Sequence, residues 1–305
     1  MNPDLTVDLA GIRLNSPVLL ASGCSGYGAE VLEHLDPALV GGIIIKSLTL
    51  EPRSGNPPPR LVETPSGLLN SIGLQNIGVD RFLTEKLPGL RGIGIPIIVN
   101  AAGASVEEYE EVCARISRAS GVAAIELNIS CPNVKKGGMQ IGADPDLARE
   151  AVARARKACR LPLIVKLSPN VTDITVIALA AISAGADALS LTNTFQGMAI
   201  NVETGRPVLS TVFGGLSGPA IKPLALRCVW QVAEKVKVPI VGLGGIMTGE
   251  DAAEFMLAGA TAVAVGTANL IDPAAATRIT GELSAYLVRR GLSAVRDLVG
   301  AAHSR

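Results

Sequence analysis

Two lysines, Lys46 and Lys166, each close an otherwise apolar run of the chain. An ammonium in that position needs an anion or a polar partner, because burying it unpaired is costly. One such lysine could simply snorkel to the surface. Two of them, beside Asn100, Asn128 and Asn193 at the ends of similar runs, point to a polar site instead. Ser22, Ser47, Thr192 and Thr194 add hydroxyls at equivalent positions. Gly244-Gly245 and Gly266-Thr267 follow two successive apolar runs. Glycine lets backbone amides come close to a phosphate and accepts unusual dihedrals, so these pairs suit an anion as well as ordinary turns.

Cys131 lies in the run 128–133 (NISCPN), directly after another apolar run. Residues 134–141 then bring Lys135, Lys136, Gly137 and Gly138, the composition of an exposed loop. A cysteine there can act as a general base or as a nucleophile, although an ordinary thiol with a pKa of about 8.5 needs help from its surroundings. Free cysteine is more often a small buried residue. That is the reading for Cys113, Cys159 and Cys228, while Cys24 stays ambiguous. The chain has two histidines, His34 and His303, and neither sits where it could serve such a site, which leaves Cys131 as its best proton acceptor.

These groups need a scaffold. Eight short apolar runs, residues 17–21, 42–46, 96–100, 122–128, 161–167, 187–191, 238–243 and 261–266, are continuous in Val, Ile, Leu and Ala rather than alternating. Strands buried on both faces read this way. Amphipathic stretches of helical length lie between them, at 105–120, 144–159, 173–184, 220–236 and 249–258. Ser105, Asp144 and Thr172 are expected to cap helix starts, and Gly121, Gly185 and Gly259 to follow helix ends. Eight such strands alternating with helices predict an α/β fold, a closed TIM (β/α)8 barrel forming one domain over residues 1–305. An open doubly wound sheet is the rival, but no G-x-G-x-x-G follows the first strand. The glycine pairs come instead after the seventh and eighth strands, where barrels bind phosphate. Residues 5–14, with Ala10-Gly11 at their centre, predict an N-terminal hairpin capping the barrel bottom. Residues 49–76 and 192–217, rich in Pro, Gly and Asn, are expected as long loops on the C-terminal face, where binding and catalysis concentrate.

Composition narrows the function. Twenty-seven basic residues balance twenty-seven acidic ones, so there is no basic footprint for nucleic acid. No apolar run reaches the roughly 20 residues of a membrane span, and the N-terminus does not read as a signal peptide. The five cysteines are scattered, without a C-x-x-C pair, which argues against a disulfide framework, a metal site or an iron–sulfur cluster in this chain and for a reducing, cytoplasmic setting.

Four motifs, in order along nearly the whole chain, resemble the class 1 dihydroorotate dehydrogenases: 70–74 (NSIGL), 128–134 (NISCPNV), 216–223 (LSGPAIKP) and 242–246 (GLGGI). The resemblance implies an FMN-dependent barrel, one FMN per chain, that oxidises (S)-dihydroorotate to orotate in pyrimidine synthesis. By position, Cys131 resembles the base that takes the C5 proton while the C6 hydride passes to flavin N5; a related class uses serine there. Ser22, Lys46, Ser47, Asn100, Asn128, Lys166, Thr192, Gly218, Gly244, Gly245, Gly266 and Thr267 match FMN-contacting positions. Lys46, Asn70, Ser71, Ile72, Gly73, Leu74, Asn128, Asn133, Asn193 and Thr194 match substrate-contacting positions. Such a substrate is a planar ring with amide edges, which asparagines can pair with, and a carboxylate, for which Lys46 offers charge. Lys166 would stabilise negative charge near the flavin's pyrimidine edge.

Residues 74–82 (LQNIGVDRF) and 214–223 (GGLSGPAIKP) resemble the subtype that delivers electrons to NAD. That subtype implies a second subunit carrying FAD and a [2Fe–2S] cluster, assembled as a heterotetramer around a homodimer of this chain. Three alternatives compete: a homodimeric enzyme using fumarate, an FMN barrel acting on uracil-type pyrimidines, and a non-catalytic barrel that scaffolds a partner.

Overall fold

The computed structural model describes residues 2–130 and 141–303. The chain enters through β1 (Val7–Leu9) and β2 (Ile12–Leu14), an antiparallel hairpin. Its two-residue turn, Ala10-Gly11, has positive φ at both positions, 54° and 84°, the geometry that matches the twist of paired strands. Asp8 Oδ1 accepts from the Gly11 amide at 2.9 Å and fixes the turn.

The remaining strands follow in chain order. They are β3 (Val18–Leu20), β4 (Gly42–Ile44), β5 (Leu61–Thr64), β6 (Gly67–Asn70), β7 (Ile97–Ala101), β8 (Ala124–Asn128), β9 (Leu163–Lys166), β10 (Ala188–Leu191), β11 (Phe195–Gly197), β12 (Ile200–Asn201), β13 (Arg206–Pro207), β14 (Gly214–Ser217), β15 (Ile240–Leu243) and β16 (Ala262–Val265). Eight of them close a parallel barrel in the order β10-β15-β16-β3-β4-β7-β8-β9. These are the eight apolar runs of the sequence, and every residue of these barrel strands is buried. Aliphatic side chains fill one face of each strand against the barrel interior and the other against the helices.

The five expected helices are present as Val106–Ser117, Pro145–Ala158, Ile174–Ser183, Lys222–Ala233 and Gly249–Leu257. Ser105 and Asp144 cap the first two through their side chains. Thr172 does not cap the third. Asp173 does, accepting from the Thr175 amide at 2.9 Å and its hydroxyl at 2.7 Å, because the carboxylate stands one residue nearer the first free amides. A further helix, Ala275–Arg289, follows β16 and buries Ile279, Leu283 and Leu287 on one stripe.

The two long connections are more ordered than loops. After β4, β5 and β6 form a hairpin; after β10, β11 and β14 return over the same face. Pairing of β14 with β6, Gly215 opposite Asn70, joins the two connections into a four-stranded antiparallel sheet across the barrel's C-terminal end. Their strands are short and only half-buried, so neither a continuous apolar run nor a long alternation announces them.

Candidate active site

A cavity of about 320 Å³ lies between the barrel rim and this upper sheet, in the size range of small-molecule sites. Ser22, Lys46, Ser47, Asn128 and Lys166 reach it from the ends of β3, β4, β8 and β9. Thr192, Asn193 and Thr194 come from the end of β10, Gly244 and Gly245 from β15, and Gly266 and Thr267 from β16. Gly218 enters from behind β14; Asn70, Ile72, Gly73 and Leu74 descend from β6. Seventeen positions singled out by sequence thus share one wall, and the parallel barrel explains why, since all its strand ends point to one rim.

Four positions behave differently from their neighbours or escape description. Asn100 does not line the cavity: it is fully buried one layer below, its Nδ2 donating to Glu126 Oε1 at 2.5 Å and to Ser22 Oγ at 3.4 Å. Ser71 is also fully buried behind the wall, its amide donating to Arg60 O at 2.8 Å. Cys131 and Asn133 lie outside the described residues.

The polar groups are held by one another. Asn128 Nδ2 donates to Ser47 Oγ at 3.2 Å, and Asn128 Oδ1 accepts from the Ser130 hydroxyl at 2.8 Å. Tyr109 Oη, from the helix Val106–Ser117, donates to Asn128 O at 2.7 Å. Asn193 Oδ1 accepts from the Thr194 amide at 2.8 Å. Lys166 Nζ donates to Ser22 Oγ at 3.2 Å and stands 3.6 Å from Glu126 Oε1. Lys46 is different. Among the described residues its half-buried ammonium has no hydrogen bond or ion pair, and burial pulls its pKa below the usual lysine value; the Cys24 thiol opposes this and Arg60 adds to it. A cation left without a partner in a cavity is a ready receptor for an anionic group.

The glycines form a close cradle. Gly218, Gly244 and Gly245 have φ of +95°, +131° and +81°. A Cβ on Gly245 would lie 2.8 Å from Gly218 O and from the Lys222 amide, and one on Gly218 would lie 2.7 Å from Gly67 Cα. Neither the backbone conformation nor the space admits a side chain. Among the described residues the Thr192 hydroxyl and the Asn100 carboxamide oxygen are buried without a partner. The Thr267 hydroxyl donates to Ser217 Oγ at 2.9 Å. Cations, amide edges, glycine turns and unpartnered buried oxygens together fit a large polar cofactor bearing a phosphate.

Several contributors carry no sequence signal of their own. Glu126 lies inside β8 among aliphatic residues, fully buried. Ser190 lies inside β10 and donates to Glu126 Oε2 at 2.8 Å. A charge interrupting an apolar run, as Glu126 does in 124–128 (AIELN), is the signal that could have found it. Cys24 and Gln75 also border the cavity. Burial pushes the Cys24 thiol up to about 11 despite Lys166 and Lys46 nearby.

Comparison with known proteins gives the family. The family model described as dihydroorotate dehydrogenase matches residues 4–287. The catalytic subunit of dihydroorotate dehydrogenase B (NAD(+)) from Citrifermentans bemidjiense is 58% identical over 299 residues, covering 98% of each chain. The protein of the same name from Desulforudis audaxviator is 52% identical over 303 residues, 99% of each chain. A crystal structure of the Eimeria tenella dihydroorotate dehydrogenase in complex with ferulenol superposes with a TM-score of 0.84 at 26% identity, covering 100% of this chain and 90% of that one. With this match along nearly its full length, a closed parallel barrel and a polar cavity on the rim, the chain belongs to the dihydroorotate dehydrogenase family.

Proposed function

We propose that this chain is the catalytic subunit of an NAD-linked dihydroorotate dehydrogenase, oxidising (S)-dihydroorotate to orotate in pyrimidine synthesis. The observation that carries this reading is the Lys46 ammonium, unpartnered among the described residues and set in one cavity with Asn70, Asn128 and Asn193. A planar ring with amide edges and a carboxylate is complementary to that set. FMN, when bound, supplies the two-electron acceptor for the substrate's hydride. The chain's own residues do the rest. Gly218, Gly244, Gly245, Gly266 and Thr267 bind the phosphate end, and Ser22, Ser47, Lys166 and Thr192 hold the ring system, with Asn100 supporting Ser22 from below. Lys46 and the asparagines fix the substrate ring. Ile72, Gly73 and Leu74 close over it with Ser71 supporting them from behind, Thr194 borders it, and Asn133 is a further substrate contact by resemblance. Cys131 takes the C5 proton.

The NAD-linked subtype rests on relatives named for NAD(+) at 52–58% identity. Their description as catalytic subunits supports a second subunit, carrying FAD and a [2Fe–2S] cluster, in a heterotetramer around a homodimer of this chain. The exposed apolar residues Met198, Ile200, Val202 and Phe213 offer surface for such contacts. Free thiols at Cys24, Cys113, Cys159 and Cys228 fit a cytoplasmic setting. No described helix is long and apolar enough to cross a membrane.

The test is anaerobic. Dihydroorotate added to the FMN-loaded chain bleaches the flavin absorbance, and NAD restores it only with the second subunit present. Recovery with fumarate alone would favour the homodimeric alternative. No bleaching by dihydroorotate, with dithionite-reduced flavin reoxidised by uracil-type pyrimidines, would move the substrate class. A flavin that responds to neither would favour the scaffold.

A further inference from the structure

Among the described residues no Asp or Glu side chain lines the cavity, whereas two lysines do. One carboxylate lies directly beneath. Glu126 is fully buried in the barrel interior, where a (β/α)8 fold ordinarily stacks aliphatic side chains. Its Oε1 accepts from Asn100 Nδ2 at 2.5 Å and stands 3.6 Å from Lys166 Nζ; its Oε2 accepts from Ser190 Oγ at 2.8 Å. Register explains the cluster: Asn100 pairs with Glu126, and Lys166 lies between Asn128 and Ser190 on adjacent strands. Both carboxylate oxygens are therefore engaged by groups from three neighbouring strands.

Stability alone does not account for this arrangement. A buried ion pair is weakly stabilising at best, and well-packed apolar residues of similar volume often do as well or better. What distinguishes this pair is its position. Lys166 is nearly buried yet faces the cavity, and Ser22, which accepts from Lys166 Nζ, faces it too. Asn100, tethered to the same carboxylate, also donates to Ser22 Oγ at 3.4 Å. Glu126 thus touches nothing in the cavity but controls two groups that shape its floor.

We propose that Glu126 is a positioning residue that holds Lys166 and Asn100 under the cofactor and offsets part of the lysine's charge there. The inference rests on the reading that this cavity binds FMN beside Lys166. Reduction by two electrons with uptake of one proton leaves the bound flavin with one additional negative charge. Lys166 stabilises that charge through a medium of low effective dielectric, and the carboxylate at 3.6 Å from its ammonium weakens the effect. Glu126 therefore sets the flavin's potential lower than Lys166 alone would.

The experiment compares FMN-loaded wild type, Glu126→Gln, Lys166→Met and the double variant, by dye-equilibrated reductive titration with dithionite and by sulfite addition to the flavin. Glu126→Gln shifts the equilibrium towards reduced flavin by about tenfold or more, about 30 mV for a two-electron couple. Sulfite affinity rises in the same direction. Part of the effect runs through the placement of Lys166, so adding Glu126→Gln to Lys166→Met shifts both quantities less. A Glu126→Gln protein within twofold of wild type in both measurements overturns the proposal, as does an undiminished shift in the absence of Lys166. If Glu126→Gln does not fold, Glu126→Asp, which draws the carboxylate back from Lys166, shifts both quantities the same way by less; no shift overturns the proposal. A wild-type chain that takes up no FMN would instead overturn the reading of the cavity, and this inference with it.

Discussion

Asn193 Nδ2 donates to Ser130 Oγ at 2.7 Å, and the Ser130 hydroxyl donates onward to Asn128 Oδ1 at 2.8 Å. The chain thereby ties the end of β10 to the turn after β8, one residue before Cys131. Ser130 is almost wholly buried, so its hydroxyl is not a surface ornament. In Ser130→Ala, Asn193 keeps only the longer contact to Ser130 O at 3.3 Å, and Asn128 Oδ1 only the Ser130 amide at 3.2 Å. Losing one partner from a buried network costs about 1–3 kcal/mol, and small misplacements of reacting groups cost rate steeply. Ser130→Ala is expected to keep its flavin and lose about tenfold or more in kcat. Flavin content and steady-state oxidation of dihydroorotate check this; an unchanged kcat would show that Ser130 does not orient the following residue.

Cys131→Ala is expected to retain the flavin spectrum and lose turnover by about 10²- to 10⁴-fold, the usual contribution of a positioned base. Cys24 cannot take over. It borders the same cavity, but its thiol, pushed up to about 11, stays protonated at neutral pH. Rapid-mixing measurement of flavin reduction by dihydroorotate tests the assignment, and wild-type rates in the variant would exclude Cys131 as the base.

Lys46 links ligand binding to pH. Burial lowers its pKa, so the charged form is disfavoured in the ligand-free fold. The protonated lysine weakens folding most below its folded pKa; the penalty fades as pH rises from there and is gone above the unfolded value near 10.4. A bound carboxylate reverses the preference and pulls a proton onto Lys46. Lys46→Met is expected to raise the melting temperature of the ligand-free protein at neutral pH while weakening orotate binding about tenfold to a hundredfold, the scale of a charge-assisted hydrogen bond. In wild type, orotate affinity falls as pH rises through the depressed pKa. Titrating orotate against the flavin spectrum across pH checks both; affinity independent of pH and of Lys46 would remove the lysine from the carboxylate site.

The barrel was legible because its strands are buried on both faces and therefore read as eight uninterrupted aliphatic runs, 122–128 and 238–243 among them. Residues at their ends, such as Lys166 and Asn128, were legible for the same reason: a polar group stops an apolar run. The upper sheet was not. Leu61–Thr64 and Phe195–Gly197 are short and half-exposed, and the two connections they belong to are joined by strands more than a hundred residues apart, so the pairing of Leu216 with Leu69 leaves no local pattern. Ser71 and Asn100 stand behind the wall, because sequence locates a strand end but not how deep each side chain turns. The role of Glu126 leaves no local signal because its partners, Asn100 and Ser190, sit on different strands. The helix Ala275–Arg289 could have been found, since Ile279, Leu283 and Leu287 repeat every four residues.

Gly245 offers a sharp test of the cradle. Its φ of +81° is strained for any residue with a Cβ, and an added methyl would meet Gly218 O and the Lys222 amide, both at 2.8 Å. Both obstacles are backbone, fixed by the turn at Gly218 and by the helix Lys222–Ala233, whose first residue is anchored by Lys222 Nζ donating to Asp251 Oδ1 at 2.7 Å. Relief must then come from moving the turn after β15, which carries Gly244 as well. An unfavourable positive φ costs roughly 1–3 kcal/mol, so Gly245→Ala is expected to fold with a lowered melting temperature. It is also expected to lose FMN on desalting while wild type keeps it, because the amides that approach the phosphate are displaced. Gly281→Ala is the control. Gly281 lies inside the helix Ala275–Arg289 with open space where a Cβ would point, so alanine there should hold or slightly raise stability through its better helix propensity and leave FMN binding unchanged. Equal FMN retention in Gly245→Ala and wild type would take the turn after β15 out of the cofactor site.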